Sequence, residues 1–283
     1  MNYKTHFALI AMACLLAGAA APSRADELAE KGRDIFTKNQ RAIVTVEVVQ
    51  KTSYTSPGRS SSPNEAKQDL TGTVVDPSGL TVLALSACDP AEMYQRMMSD
   101  DSRFKMETEV TDIKILLEDG TEMPAEIVLR DKDLDLAFIR PKTKPASPMP
   151  AIDLGKTSPA QVLDQVITLN RLNRAAGRAY SASVERISAV IQKPRTFYIP
   201  DSTMTTTTLG SPAFSLNGNV LGVVVMRAVS SKGSGNMREG MTSIILPAED
   251  ISKAAKQAPE AKGEDEKKEP VKETKEEKPD AAK

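Results

Sequence analysis

Three stretches of this sequence carry side chains able to do nucleophilic or acid–base work. The first runs Thr205-Thr206-Thr207-Thr208-Leu209-Gly210-Ser211-Pro212-Ala213-Phe214-Ser215-Leu216-Asn217-Gly218-Asn219-Val220-Leu221-Gly222-Val223-Val224-Val225, a file of hydroxyls entering a Gly-Ser-Pro turn. The second is Ser86-Ala87-Cys88, at the end of an apolar run. The third is Asp133-Leu134-Asp135-Leu136-Ala137-Phe138-Ile139, a carboxylate heading another apolar run. A hydroxyl attacks a carbonyl only when a base takes its proton, and a carboxylate commonly fixes that base, usually histidine. The chain has one histidine, His6, and two cysteines, Cys14 and Cys88.

His6 sits where it is of little use. Lys4 and His6 precede an apolar run over residues 7–21, and Ser23-Arg24-Ala25 follows with small residues at the spacing of a signal-peptidase site. The expectation is export, with residues 1–25 removed and a periplasmic or secreted destination. The apolar run is too short to read as a membrane span, and apolar residues continuing past Cys14 argue against a lipoprotein box. The mature chain then has no histidine and a single cysteine, so an internal disulfide and zinc sites of Cys and His are excluded. Asp76-Pro77-Ser78-Gly79 and Asp100-Asp101 lack calcium-loop spacing. No cofactor or metal is expected. The formal net charge of −1 gives no reason to expect nucleic acid as a partner.

The elements that must position these residues are mostly short strands. Residues 26–40 place Leu28, Ile35 and Phe36 at helical spacing, and residues 41–51 alternate with β-branched side chains, so a short helix leads into a strand. Residues 52–68 read as an exposed loop. Residues 69–76 and 80–87 read as a hairpin around Pro77-Ser78-Gly79, and residues 89–106 as helical or irregular, with Met93, Met97 and Met98 filling core gaps. Further strands are expected at 111–118, 123–129, 134–140, 165–170, 179–191, 196–199, 213–216, 220–226 and 242–246. Asn217-Gly218 is the strongest hairpin signal, because both residues accept positive φ. Pro-rich residues 141–150 read as a linker between halves of about 26–143 and 150–258. A short helix follows Pro247. Residues 259–283 mix both charges, with Val271 their only large aliphatic, and cannot bury enough apolar surface to offset ordering; a disordered tail is expected.

In order and spacing, four of these motifs resemble the trypsin-like serine proteases, particularly the HtrA (Deg) family. Thr71-Gly72-Thr73-Val74-Val75-Asp76-Pro77-Ser78-Gly79-Leu80-Thr81-Val82-Leu83 is similar to the hairpin that leads to the family's catalytic histidine. Asp135-Leu136-Ala137 is similar to its acid motif, Leu209-Gly210-Ser211-Pro212 to its Ser-Gly-Gly-Pro nucleophile loop, and Met241–Ala248 to its closing strand. The resemblance covers roughly residues 30–256. It implies an all-β fold of two six-stranded antiparallel barrels with a cleft between them, in a domain over residues 26–258 without the family's usual PDZ domains.

Carried over residue by residue, the resemblance puts Ser86 at the histidine, Asp135 at the acid and Leu209 at the nucleophile. Leucine cannot attack a carbonyl and serine is no general base. No catalytic residue is therefore expected at these positions. Thr207 stands where the family's turn has its first glycine, which disfavours the oxyanion hole. Ser211, the one candidate outside the triad, needs a desolvated lysine as base, and none near these motifs stands out; as a turn residue it needs no further explanation. Cys88 reads as a buried small hydrophobe. The leading expectation is an exported, catalytically inactive trypsin-like domain binding an extended peptide or protein segment, with Thr207, Thr208, Leu209, Gly210 and Ser211 lining its cleft. The alternatives are a serine endopeptidase with a non-standard nucleophile and base, and a structural envelope protein. The oligomeric state is not readable from the sequence.

Overall fold

The computed structural model describes residues 24–97, 105–201, 208–228 and 240–260. The expected leader, Thr207 and the charged tail lie outside the described residues, apart from the leader's last two residues and the tail's first two. Helix α1 (Arg24–Asn39) and a 3-10 turn (Gln40–Ala42) lead into β1 (Ile43–Ser56), followed by β2 (Arg59–Ser60), β3 (Asn64–Val74) and β4 (Thr81–Ala84). Two short helices come next, α2 (Leu85–Cys88) and α3 (Pro90–Met97), then β5 (Lys105–Leu116), β6 (Glu122–Asp131) and β7 (Leu136–Pro141). The second half holds β8 (Gln165–Arg171), β9 (Tyr180–Ile191), β10 (Phe197–Pro200), β11 (Pro212–Ser215), β12 (Val220–Ala228), β13 (Met241–Pro247) and helix α4 (Ala248–Ala255).

The chain is all-β, in two closed six-stranded antiparallel barrels. In the first, β1-β3-β4-β7-β6-β5 closes through pairing of β1 with β5, and β2 adds to the tip of β1. The second closes in the order β10-β13-β12-β11-β8-β9. Strands β4 and β7 explain why two segments read as unbroken apolar runs. Leu83, Ala137 and Ile139 fill the first barrel, while Val82, Leu136 and Phe138 face the second. A strand buried on both faces has no polar side to alternate with.

Two expectations are corrected. Residues 52–68 are not one loop: β1 runs on to Ser56 and pairs Thr52 with Asn64 of β3, so that polar side chains extend a three-stranded arm whose ladder bonds tolerate them. Residues 85–87 do not finish a strand but form α2: Leu85 N–H makes the last ladder bond, to the Asp135 carbonyl (2.9 Å), and the next amide, Ser86 N–H, is taken by the Asp135 side chain (2.7 Å) instead of a strand partner. The Asn217-Gly218 hairpin is present, but positive φ falls on Gly218 alone (77°). Its amide bonds the Ser215 carbonyl (2.9 Å), which makes a longer loop ending in one left-handed residue.

Helix α1 covers the second barrel from outside. Ile35 is buried, a Cβ on Gly32 would lie 3.4 Å from Ile167 Cδ1 on β8, and Phe36 meets Tyr180 edge-on at 6.5 Å. Polar ties join the barrels. Arg178 grips Asp69 through Nε (2.7 Å) and Nη2 (3.1 Å), a forked contact that fixes orientation as well as distance. Buried Glu47 accepts from Lys67 (2.6 Å) and Arg178 (3.5 Å).

Candidate functional site

The site is built around one aspartate at the mouth of the inter-barrel seam. Asp131 accepts the N–H groups of Asp133 and Leu134, both at 3.0 Å, and so folds the turn between β6 and β7. Asp135 follows with φ at 58°, a left-handed conformation that Asp and Asn bear better than most residues. Its carboxylate accepts three hydrogen bonds. Oδ1 takes the Ser86 N–H (2.7 Å); Oδ2 takes the Ser86 hydroxyl (2.8 Å) and the Met226 N–H (2.7 Å). A barrel-1 turn, helix α2 and barrel-2 strand β12 therefore meet on one carboxyl group.

The expected pair Ser86 and Asp135 is thus brought together, and Leu209 is not part of the polar cluster. Leu209 is buried in the apolar seam that also holds Ala84, Leu136, Phe138 and Val224. The cavity beside Ser86 measures only about 20 Å³ and is closed by Leu85, Met93, Met226 and Ala228. That is room for about one water, not for a peptide carbonyl. Lys132 also lines this cavity, which the sequence did not reveal; it is exposed, whereas a lysine serving as base must be desolvated.

The turn before β11 is held from both sides. Gly210 N–H bonds the Val224 carbonyl (2.8 Å), Ser211 N–H bonds the Thr208 carbonyl (3.1 Å), and Thr73 Oγ1 donates to the Gly210 carbonyl (2.7 Å). These two amides are engaged within the protein. Gly210 has φ at 88°, and a Cβ there would lie 2.2 Å from the Thr71 carbonyl oxygen, so the turn depends on glycine. Ser211 is fully buried, and its Oγ has no hydrogen-bond partner among the described residues. Cys88 is fully buried with Sγ 3.4 Å from the Leu85 carbonyl, and burial pushes its thiol up to about 12. Among the described residues no group of three or more His, Cys, Asp or Glu is placed to hold a metal ion.

Two barrels, a seam between them, and an aspartate meeting the helix after β4 are the frame. A family model described as the trypsin-like peptidase domain matches residues 70–223 of this chain. The chain belongs to that family. Among solved structures, this trypsin-like domain is similar to an HtrA-type protease AlgW with tripeptide, at 17% identity and a TM-score of 0.51. That match covers 80% of this chain and 62% of the other, less than two thirds of its length. A substituted form of the same protease matches over the same shares at 17% identity and a TM-score of 0.49. At this identity the likeness is one of fold. No curated protein matches the sequence.

The trypsin-like domain keeps one strand edge at its seam. Residues of a strand turn their N–H and C=O groups alternately to either side. Val224 N–H bonds the Ser211 carbonyl (2.8 Å) and Met226 N–H bonds Asp135, so residues 224, 226 and 228 all turn away from β13. The Met226 carbonyl and both polar groups of Ala228 therefore face the seam, unpaired by any described residue. Sequence reasoning missed this edge because backbone polarity has no side-chain signature. Among the described residues no helix is long and apolar enough to cross a membrane.

Proposed function

We propose that this chain is an exported, catalytically inactive trypsin-like domain that binds an extended peptide or protein segment by adding it as a strand to β12. The observation that carries the reading is the use of Asp135: its carboxylate holds Ser86 and Met226 in place, with no imidazole to orient and a buried leucine where a nucleophile would stand. Such a site lacks both a base and an attacking atom, yet strand addition needs neither. It needs backbone donors and acceptors at an accessible edge, and the Met226 carbonyl with the Ala228 N–H and C=O supplies them. Export is supported by the leader-like residues 1–25.

The test removes one backbone donor. Ala228→Pro deletes the N–H that faces the seam while leaving the β13 side of the strand unaffected. Wild type is expected to bind reduced, carboxymethylated α-lactalbumin by biolayer interferometry, and the variant to lose that binding without a change in melting temperature. No binding by wild type, or equal binding by the variant, would overturn the reading.

A further inference from the structure

A second cavity, of about 240 Å³, lies beside the same strand edge. Its walls come from both barrels: Asp133 and Leu134 of the β6–β7 turn, Arg195 and Phe197 at the start of β10, and Arg227 and Ala228 of β12. The Arg227 guanidinium stands 5.0 Å from the centroid of the Phe197 ring, which holds it at the wall. Three other arginines are paired with carboxylates: Arg178 with Asp69 and Glu47, Arg174 with Glu47, Arg140 with Glu260. Arg195 and Arg227 have no carboxylate partner among the described residues. With Arg195 and Arg227 against the single acidic residue Asp133, the lining carries a net positive charge.

We infer that this cavity is a subsite for an acidic side chain, so that the segment taken by the domain carries an Asp or Glu at one fixed position. The inference rests on the strand addition proposed above. Alternate side chains of an added strand point to the same face, so a peptide paired with Met226 and Ala228 presents one side chain to the cavity in each register. A cavity of this size takes a single carboxylate side chain, and Arg offers it a planar fork of donors. Asp133 on the same wall disfavours bulky polyanions and, once a carboxylate enters, competes for the arginines.

The probes are fluorescein-labelled decapeptides of Ser, Thr and Val carrying one Glu at each position in turn, with matching Gln and Lys sets, titrated by anisotropy against the full chain. At one position the Glu peptide is expected to bind about tenfold tighter than its Gln partner, the strength of one charge-assisted contact, and to weaken as salt rises. The double variant R195E/R227E should prefer Lys at that position. R195Q, at an exposed site, gives a milder test that does not depend on the double variant folding, and it should reduce the preference. Equal affinity for Glu, Gln and Lys peptides overturns the subsite and leaves strand addition standing. An R195Q protein that keeps the whole preference also overturns the subsite. Failure of every peptide to bind overturns both.

Discussion

Replacing Asp135 by Asn tests the idea that this residue is a structural post between the barrels. Asn suits the left-handed backbone as well as Asp does, so the substitution changes the carboxylate and little else. Whichever way the amide is turned, its NH2 faces a backbone donor: Ser86 N–H at the Oδ1 position or Met226 N–H at the Oδ2 position. One part-buried N–H loses its acceptor, and the remaining bonds lose their charge. An orphaned donor costs about 1–3 kcal/mol and a bond to a charged group is worth about 1.5–3 kcal/mol. The sum expected for Asp135→Asn is about 2.5–6 kcal/mol in urea unfolding, with a matching fall in thermal midpoint. Ser86→Ala keeps both backbone bonds and removes only the hydroxyl's bond to the carboxylate, so it should cost about 1.5–3 kcal/mol. A loss below about 0.5 kcal/mol for Asp135→Asn, the size of an ordinary surface change, would refute the structural role.

Other perturbations follow from the same geometry. Leu209→Ala should cost about 2–5 kcal/mol by opening a void in the seam, while Leu209→Ser should gain no hydrolysis of a fluorogenic ester, since Ser86 supplies no base. Ser211→Ala should leave stability unchanged or raise it, because the buried hydroxyl has no partner to lose; a clear loss in a thermal melt would show that it has one. Native Cys88 should resist Ellman's reagent at pH 8, with labelling appearing only as denaturant unfolds the barrel, as expected for a fully buried thiol pushed up to about 12. Asp76 is held below its ordinary 3.8 by hydrogen bonds from the Ser78 side chain and N–H. Its folded value being the lower one, it stabilises the fold above pH 3.8, and that contribution fades as pH falls through the folded value. Asp76→Asn should therefore be less stable than wild type at pH 6, with the difference shrinking by pH 3.

The legible parts of the fold were those written in side-chain pattern. The Val-rich β12, the Gly79 turn and the Asp135-Leu136-Ala137 segment all fall where periodicity and turn chemistry put them. Residues 52–68 were hidden because a polar arm stabilised by ladder bonds looks like a loop. Leu85–Cys88 was hidden because the carboxylate that takes the Ser86 N–H away from the ladder belongs to Asp135, far along the chain. At the site, Ser86 and Asp135 could be paired through the family resemblance. Met226, Met93 and Lys132 could not, since one contributes a backbone amide and the others reach the cavity only through the fold. The arginines at 195 and 227 are separated in sequence and line one cavity only through the fold of the second barrel.

The central claim, that this trypsin-like seam does no acyl-transfer chemistry, is most directly tested by fluorophosphonate labelling of the purified protein, read by intact mass beside casein cleavage. The account predicts no adduct and no cleavage. An adduct mapped to Ser86 or Ser211, with cleavage that disappears in the corresponding alanine variant, would contradict it.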